Sequence, residues 1–311
     1  MVRPTTFPSP LREQQAREAA RIAYGKKVDK VIRSVGKLED DAVREAMGIL
    51  TDTRKSIAEK LVTARGYDIQ HLPELEQAVD ESLAEMRERY TEFFERRGNE
   101  FWEAGSRLAL DPVEDILGIK VSTAGPNLEL LEVMQGTTAD LVVDITDRAR
   151  NEINGEIRQA VLGVKRPFEA QQEIMKTLRT QERKGVRVGI AAQSESIIRT
   201  EMNRIATVAQ FEEMQKIKEA VPDMQKQWIT VQDGRQRDGH DLLHNQKKPM
   251  NHKFKYTDPR TNRKVELMYP RDPRGPAEAV ISCRCKIISV RPDDDWTKPP
   301  PLPKELQGIL G

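Results

Sequence analysis

The stretch that decides the fold class is LEQAVDESLAEMRERYTEFFERRGNEFWEA, residues 75–104. Its apolar residues recur at intervals of three and four, and Glu and Arg fill most positions between them. This pattern predicts one narrow apolar stripe on a helix roughly 45 Å long. Such a stripe is typical of helices that pack against neighbouring helices as coiled coils do. The stretch therefore predicts a mostly helical protein.

Other segments on both sides of this stretch also show helical spacing. The predicted helices begin near Ala16 and break at Gly36, continue over 38–61, and then cover 138–162, 168–179 and, capped by Ser194, a stretch that reaches Ala220. Asp111-Pro112 is expected to start a separate short segment. GVRVG, residues 185–189, is expected to be a hinge with no strand before it, and it lacks the pattern of a phosphate-binding loop.

After Pro222 the pattern changes to short strands. Strands are predicted around Trp228 and over 254–256, 265–268 and 286–290, among Pro-, Asn-, Asp- and Gly-rich loops. The fold class is therefore α+β, with a mostly α-helical N-terminal region of long amphipathic helices and a small α+β C-terminal module. We predict an extended arm at 1–12, a helical domain at 13–190, the module at 191–291 and a proline-rich extended tail at 292–311.

Composition excludes several classes of protein. The 311 residues are 37% hydrophobic and 32% charged, with a formal net charge of +1 and two cysteines. No stretch approaches the ~20 continuous apolar residues of a membrane span, and the first residues lack the apolar segment of a secretory signal. Two cysteines cannot form a disulfide framework. We therefore expect a soluble protein that is made inside the cell and has no membrane contact.

Positive charge is concentrated in the C-terminal module. Residues 234–291 contain 14 Lys and Arg but 6 Asp and Glu, a net charge of +8, and the rest of the chain carries −7. A basic surface attracts phosphates or acidic partners, although it can also be merely solvated. The residues predicted to contact DNA are Lys247, Lys248, Lys253, Lys255, Arg263 and Lys264.

A metal site is the clearest chemical prediction. Cys283 and Cys285 are separated by one residue, and on a strand such residues share a face. His240 and His244 are four residues apart, and on a helix they also share a face. Together they form a Cys2His2 set suited to tetrahedral zinc, with His252 as a spare. The alternative is that the histidine is hydrogen-bonded in a small core and the thiols are merely buried.

The sequence does not decide the roles of two other groups of residues. The histidines, Asn245 and nearby aspartates would also suit a histidine–metal nuclease, although the ββα context of such enzymes is not clear here. Arg199, Glu201 and Asn203 lie on the helix that enters the module. They are either ordinary polar residues of a helix surface or buried struts paired with Asp233 or Arg235.

An ordered series of motifs runs through residues 190–290. It consists of Arg199-Thr200-Glu201 with Asn203, the strand QWITVQD, the pattern D-x-R-x-R-x-x-H-x-x-L from Asp233, the pattern Y-P-x-D-P from Tyr269, and Cys283-Arg284-Cys285. In this order the motifs resemble the phage head-morphogenesis family, the Mu F-like minor head proteins of tailed bacteriophages. The family often has Cys-x-x-Cys where this chain has Arg237 and His240, which supports His240 as a substitute ligand.

The resemblance implies a structural component of the virion and not an enzyme. Such a protein docks at the portal vertex inside the head, contacts packaged double-stranded DNA non-specifically, and assists head assembly, DNA packaging or ejection. The implied partners are the portal protein, a scaffold or major capsid protein, and the DNA. We expect synthesis in the host cytoplasm and a final place in the virion. A metal-dependent DNA nuclease and a DNA-binding adaptor without a capsid role remain alternatives.

Overall fold

The computed structural model describes residues 10–117, 126–179, 181–183, 186–231, 234 and 236–291. These residues group into two compact units. The first, which we name the helical unit, consists of the described residues within 38–100 and 127–202. The second, the mixed unit, consists of those within 1–37, 101–126 and 203–311. The bulk of the predicted N-terminal arm and the tail lie outside the described residues.

Long helices dominate the described chain, and short strands follow them. The helices are α1 (Pro10–Val62), α2 (Leu72–Leu117), α3 (Leu128–Val161), α4 (Pro167–Thr177), α5 (Ile190–Ala220), α6 (Asp238–Asp241) and α7 (Ala277–Val280). The strands are β1 (Gln181–Arg183), β2 (Val186–Val188), β3 (Gln225–Ile229), β4 (Lys247–Pro249), β5 (Phe254–Thr257), β6 (Lys264–Leu267) and β7 (Lys286–Val290). Antiparallel pairing gives the sheets β1-β2, β4-β3-β7 and β5-β6. The predicted α+β class is confirmed.

The first helix continues through Gly36, so the predicted break there is wrong. A glycine inside a helix costs only about 1 kcal/mol relative to alanine. Val35 and Ala42 are almost completely buried on either side of it. Burial of these side chains outweighs the local preference of one glycine, and α1 extends over 53 residues. It begins at Pro10, within the predicted arm.

The second helix likewise passes the point where the sequence predicted an interruption. Pro112 lies inside α2, so Asp111-Pro112 does not begin a separate segment. A proline removes one helical hydrogen bond. Leu108, Ala109 and Val113 are buried around it, and their packing keeps the chain helical.

The junction before α5 also differs from the prediction. The helix begins at Ile190, so Ser194 lies within it, buried, and is not its N-cap. Gly189 precedes the helix with a φ of +97°, and its carbonyl accepts a hydrogen bond from the Gln193 amide. Residues 186–188 form a strand that pairs with residues 181–183. The prediction of a hinge with no preceding strand is therefore wrong.

The predicted apolar stripe forms the core of the helical unit. Leu75, Val79, Leu83, Met86 and Tyr90 are each at most 2% exposed. The Tyr90 hydroxyl donates a hydrogen bond to the Ala46 carbonyl at 3.0 Å, which joins α2 to α1 inside this unit. Helix α3 starts earlier than predicted, because the Asn127 side chain caps it by accepting a hydrogen bond from the Leu130 amide.

Strands β3, β5 and β6 contribute to the core of the mixed unit by alternation, whereas β7 is buried at nearly every position. In β3, the central strand of its sheet, Lys226 and Trp228 are buried and their neighbours are half-buried. In the β5–β6 hairpin, Phe254, Tyr256, Val265 and Leu267 point inward while Lys255 and Lys264 are exposed. Strand β7 has the predicted bounds, and β4 was not predicted.

Helices α2 and α5 approach each other closely within the mixed unit. A Cβ atom added to Gly105 would lie 2.0 Å from the Ala206 carbonyl oxygen. Only glycine therefore fits this position. Helix α5 also contacts β7, because the Gln210 side chain donates a hydrogen bond to the Ile287 carbonyl at 2.6 Å. Across the described part of the chain, no helix has the length and apolar character that a membrane crossing requires.

Candidate metal centre

Backbone hydrogen bonds and aromatic contacts fix the position of His240. It lies in the short helix α6, where its amide donates to the Arg237 carbonyl at 2.9 Å. Its own carbonyl accepts from the Thr230 hydroxyl at 3.3 Å. The rings of Trp228 and Tyr256 contact the imidazole edge-on, with centroid distances of 5.5 and 5.9 Å. The imidazole is therefore fixed in a largely aromatic pocket.

The two cysteines place their sulfur atoms beside the His240 imidazole. They follow α7 and immediately precede β7, and Ser282 turns the chain with a φ of +52°. The Cys283 sulfur lies 3.6 Å from Nδ1 of His240, and the Cys285 sulfur lies 3.5 Å from the same nitrogen. Residues i and i+2 thus present both thiols to one imidazole, although neither cysteine belongs to the strand.

These distances fit a zinc ion. The three ligand atoms lie within 4.8 Å of one another, and all three residues are buried. Bond lengths of about 2.3 Å for Zn–S and about 2.0 Å for Zn–N imply an S···N separation of about 3.6 Å at a tetrahedral angle. Nε2 of His240 is buried and makes no hydrogen bond to a described residue. The cluster therefore has the donors and spacing of a Cys2His site.

The two thiols have pKa values shifted in opposite directions. A hydrogen bond from Cys285 holds the pKa of Cys283 well below its usual range, against the effect of burial and with help from His240 and Arg271. The same contact with the Cys283 sulfur, together with burial, raises the pKa of Cys285. Zinc binds cysteine as the thiolate, so a metal bound here would favour the deprotonated form of both thiols.

The structure does not bring the other histidines into this cluster. Helix α6 ends at Asp241, so the helical spacing that suggested His244 does not apply. Nδ1 of His244 instead accepts a hydrogen bond from the Thr230 amide at 3.1 Å. His252 is exposed, with Nδ1 2.9 Å from Oδ1 of Asn251.

The predicted polar residues of α5 have different surroundings. Arg199 donates to Glu39 at 2.6 Å and to Glu195 at 3.0 Å inside the helical unit. Burial opposes the charge of Arg199, but these carboxylates outweigh it and raise the pKa. Glu201 and Asn203 are buried. Asn203 accepts a hydrogen bond from Nζ of Lys286 at 2.7 Å. The predicted partners Asp233 and Arg235 lie outside the described residues.

Two buried cations near the cluster were not predicted. Arg271 is fully buried and has a φ of +64°. It donates to the Cys283 carbonyl and, at 2.6 Å, to the Thr207 hydroxyl. Lys226 is also fully buried and donates to the carbonyls of Met250 and Met268. In the motif Y-P-x-D-P, Arg271 stands at the unspecified position, so no sequence signal marked it.

The predicted DNA contacts lie on the outer side of the strands, where several are already paired. Lys253 and Lys255 both lie beside Glu266, at 3.5 and 2.7 Å. Arg263 pairs with Glu278 at 3.2 Å. Lys264 is exposed, and Lys247 and Lys248 are half-buried in β4. Pairing reduces the free positive charge of this face but leaves its net sign positive.

Fold and site together define a protein of long helices joined to a compact module centred on one histidine and two cysteines. Residues 151–288 match the family described as Phage Mu protein F like protein, and this match supports the resemblance that the motifs indicated. The match indicates a phage head-morphogenesis protein, and this family implies a place in the virion. Comparison with curated proteins and with solved structures gave no match.

Proposed function

We propose that this chain is a structural minor head protein that docks at the portal vertex inside the head and contacts packaged DNA. In this role it assists head assembly, DNA packaging or ejection, and it is not an enzyme. The observation that carries the proposal is the family match over residues 151–288, which covers the buried cluster and most of the basic segment. Scaffold or major capsid protein would be a further partner.

A structural zinc ion held by His240, Cys283 and Cys285 is part of this proposal. The three residues are only 2–3% exposed. A nuclease needs a metal that a phosphate oxygen can reach, so this burial favours a structural role over the alternative of a metal-dependent nuclease. Arg237, which stands where the family often has a ligand, donates to the Ile281 carbonyl at 2.5 Å. This bond joins α6 to the turn before Cys283, as a further ligand would.

Zinc content and thermal unfolding test this part of the proposal. We expect one zinc per chain, and we expect chelation to unfold the mixed unit, because structural zinc contributes on the order of 10 kcal/mol in small domains. His240→Ala and Cys285→Ser should remove both the metal and the stabilisation. His252→Ala is the matched control, since that histidine is exposed. Metal-free protein whose melting is unchanged by chelator would remove zinc from the proposal.

DNA contact is tested by the salt dependence of binding. Each phosphate neutralised contributes about 0.9 to the slope of log K against log salt concentration. Replacing Lys255 and Lys264 with glutamate should reduce the slope by about two and weaken binding to unrelated duplexes equally. Lys30→Glu combined with Lys55→Glu, two exposed changes on α1, controls for total charge. An unchanged slope in the double variant would mean that the β5–β6 hairpin does not contact DNA.

Portal docking requires a direct test. Purified chain and portal protein of the same phage should form a complex, and mass spectrometry of intact virions should detect the chain. Virions that lack the polypeptide would contradict the proposal. Plasmid cleavage that disappears in His240→Ala would favour the nuclease, and DNA binding without portal binding would favour the adaptor.

A further inference from the structure

The helical unit has an open apolar groove that the metal site and the DNA-contact residues do not involve. The last turns of α1 and one side of α4 enclose about 430 Å³. Its apolar lining consists mainly of Ala58, Leu61, Val62, Phe168 and Met175. Val62 and Phe168 are 69% and 67% exposed. Two large apolar side chains therefore stand at the edge of the groove in contact with solvent, at a cost that a bound partner would relieve.

Hydrogen bonds fix the walls of the groove. The Tyr67 hydroxyl donates to the Leu61 carbonyl at 3.3 Å, and the Gln171 side chain donates to the Tyr67 oxygen at 3.0 Å. Gln171 thus connects α4, through Tyr67, to the end of α1. Burial raises the pKa of Tyr67, which keeps its hydroxyl protonated and able to donate. A groove fixed in this way loses little conformational entropy when a partner binds.

Two cations beside the groove lack a nearby carboxylate. Elsewhere in this unit arginines form ion pairs between helices, as Arg97 does with Glu45 and Arg150 with Asp80. Among the described residues, no carboxylate lies within ion-pair distance of Arg54 or Arg179. Burial and repulsion by Arg179 instead lower the pKa of Arg54. The side of the groove that these residues occupy is therefore positive.

We propose that this groove binds an amphipathic helix of a partner protein, with apolar side chains on one face and Asp or Glu beside them. Apolar residues spaced three or four apart on a helix fill such grooves. The uncompensated pair Arg54 and Arg179 selects carboxylates next to those residues. A small molecule fits less well, because its sites usually bury most of the ligand and this groove is open. The proposal does not depend on portal docking.

The proposal is tested with the full chain and two synthetic helical peptides of about 18 residues, long enough to be partly helical. Both peptides carry the same leucine face, flanked by Glu in one and by Lys in the other. Fluorescence anisotropy at low and high salt reports the dissociation constants. We expect the wild type to bind the Glu peptide at least tenfold more tightly, which corresponds to about 1.4 kcal/mol, with the preference shrinking at high salt.

Variants distinguish the contribution of apolar contact from that of charge to peptide binding. Phe168→Ser should weaken binding of both peptides, whereas Arg179→Glu should weaken the Glu peptide and strengthen the Lys peptide. The matched controls are Val133→Ser, an equally exposed valine on α3 outside the groove, and Lys55→Glu, an equal charge change on an exposed residue of α1. Because all four residues are largely exposed, the variants should keep the wild-type circular dichroism spectrum.

Several results would overturn the proposal. These are failure of the wild type to bind the Glu peptide, equal affinity for both peptides, and an Arg179→Glu variant that binds like the wild type. Self-association that Phe168→Ser abolishes would make a second copy of this chain the occupant. A DNA duplex that displaces the Glu peptide and loses affinity in Arg179→Glu would make the groove a nucleic-acid site.

Discussion

The helical unit and the mixed unit differ in how far their charged side chains are exposed to solvent. In the helical unit, apolar side chains fill most of the interior and most ion pairs lie at the surface, although Glu39, which pairs with Arg199, is buried. Arg158 pairs with Glu76 at 2.7 Å although its side chain is 58% exposed. In the mixed unit, Lys226 and Arg271 are fully buried, and Lys286 and Arg291 nearly so. The two units therefore depend on charge in different ways.

The buried cations of the mixed unit are satisfied by specific neighbours. Nζ of Lys226 donates to the carbonyls of Met250 and Met268 at 3.0 and 2.8 Å and lies 5.0 Å from the centre of the Phe211 ring. Arg291 donates two hydrogen bonds to Asp223. These contacts connect loops to strands across short segments of chain, where little apolar surface is available.

This difference predicts different responses to mutation. Exposed ion pairs contribute about 0–1 kcal/mol each, so the helical unit should tolerate their loss. A buried polar group left without its partner costs about 1–3 kcal/mol, so the mixed unit should lose stability sharply.

Loss of Arg271 should show the largest effect. Arg271→Met keeps the apolar stem but leaves the Cys283 carbonyl and the Thr207 hydroxyl without this donor. We expect a loss of about 3 kcal/mol in the free energy of unfolding, measured by urea denaturation, with faster hydrogen exchange in β3 and β7. Arg107→Met, an exposed arginine on α2 in the same unit, should lose less than about 0.5 kcal/mol. Equal losses in both variants would break the comparison.

Lys226 should make the mixed unit more stable as pH rises above about 7. Burial, the largest effect, lowers its pKa from 10.5 to about 7, and nearby Asp272 and Arg274 act in opposite directions. Between about pH 7 and 10.5 the unfolded chain holds a proton that the folded chain has lost, so folding becomes more favourable as pH rises. Below about pH 7 both states are protonated, and this contribution is absent.

Lys226→Met tests this pH dependence. The full shift corresponds to about 5 kcal/mol at 1.36 kcal/mol per pKa unit, and since two carbonyls and aromatic rings still solvate the ammonium, we expect about 2 kcal/mol. The wild type should gain this amount relative to the variant between pH 7 and 10 in denaturant titrations. Lys255→Met, on the exposed face of β5, should show no such difference. Parallel pH curves for wild type and Lys226→Met would contradict the assignment.

The sequence predicted those features that depend on local periodicity. The apolar stripe from Leu75 to Tyr90 and the two short strands near Phe254 and Val265 follow from the spacing of their apolar residues. The wrong predictions of helix ends at Gly36 and Pro112 have one cause. Tertiary burial of neighbouring side chains overrode the local preference of one residue. Strand β4 has only three residues and no alternation that could mark it.

The candidate site was predictable in its donors but not in its surroundings. Two cysteines one residue apart and a histidine in a familiar motif pointed to His240, Cys283 and Cys285. Helix α6 has only four residues and ends before His244, so His244 does not share a helix face with His240. Burial of Arg271 and Lys226 depends on which backbone carbonyls the folded loops present, and residue type alone favours an exposed cation. Those contacts could not be read from spacing.

An exposed ion pair of the helical unit should show the smallest effect. Glu45 accepts hydrogen bonds from Arg96 and, at 3.0 and 2.6 Å, from Arg97. Burial opposes ionisation of Glu45, but the two arginines outweigh it and hold its pKa below 4.5. The stabilisation is therefore present above about pH 4.5 and is lost as pH falls through the lower pKa of the folded state.

Glu45→Gln should accordingly cost less than about 1 kcal/mol at neutral pH, because the Glu45 side chain is 36% exposed and solvent screens the pair. A double-mutant cycle with Arg97→Gln, followed by urea denaturation at low and high salt, measures the coupling directly. The coupling should shrink with added salt and disappear in acid. A coupling of 3 kcal/mol or more, unaffected by salt, would mean that the helical unit depends on fixed charge as the mixed unit does, and the contrast between the two would fail.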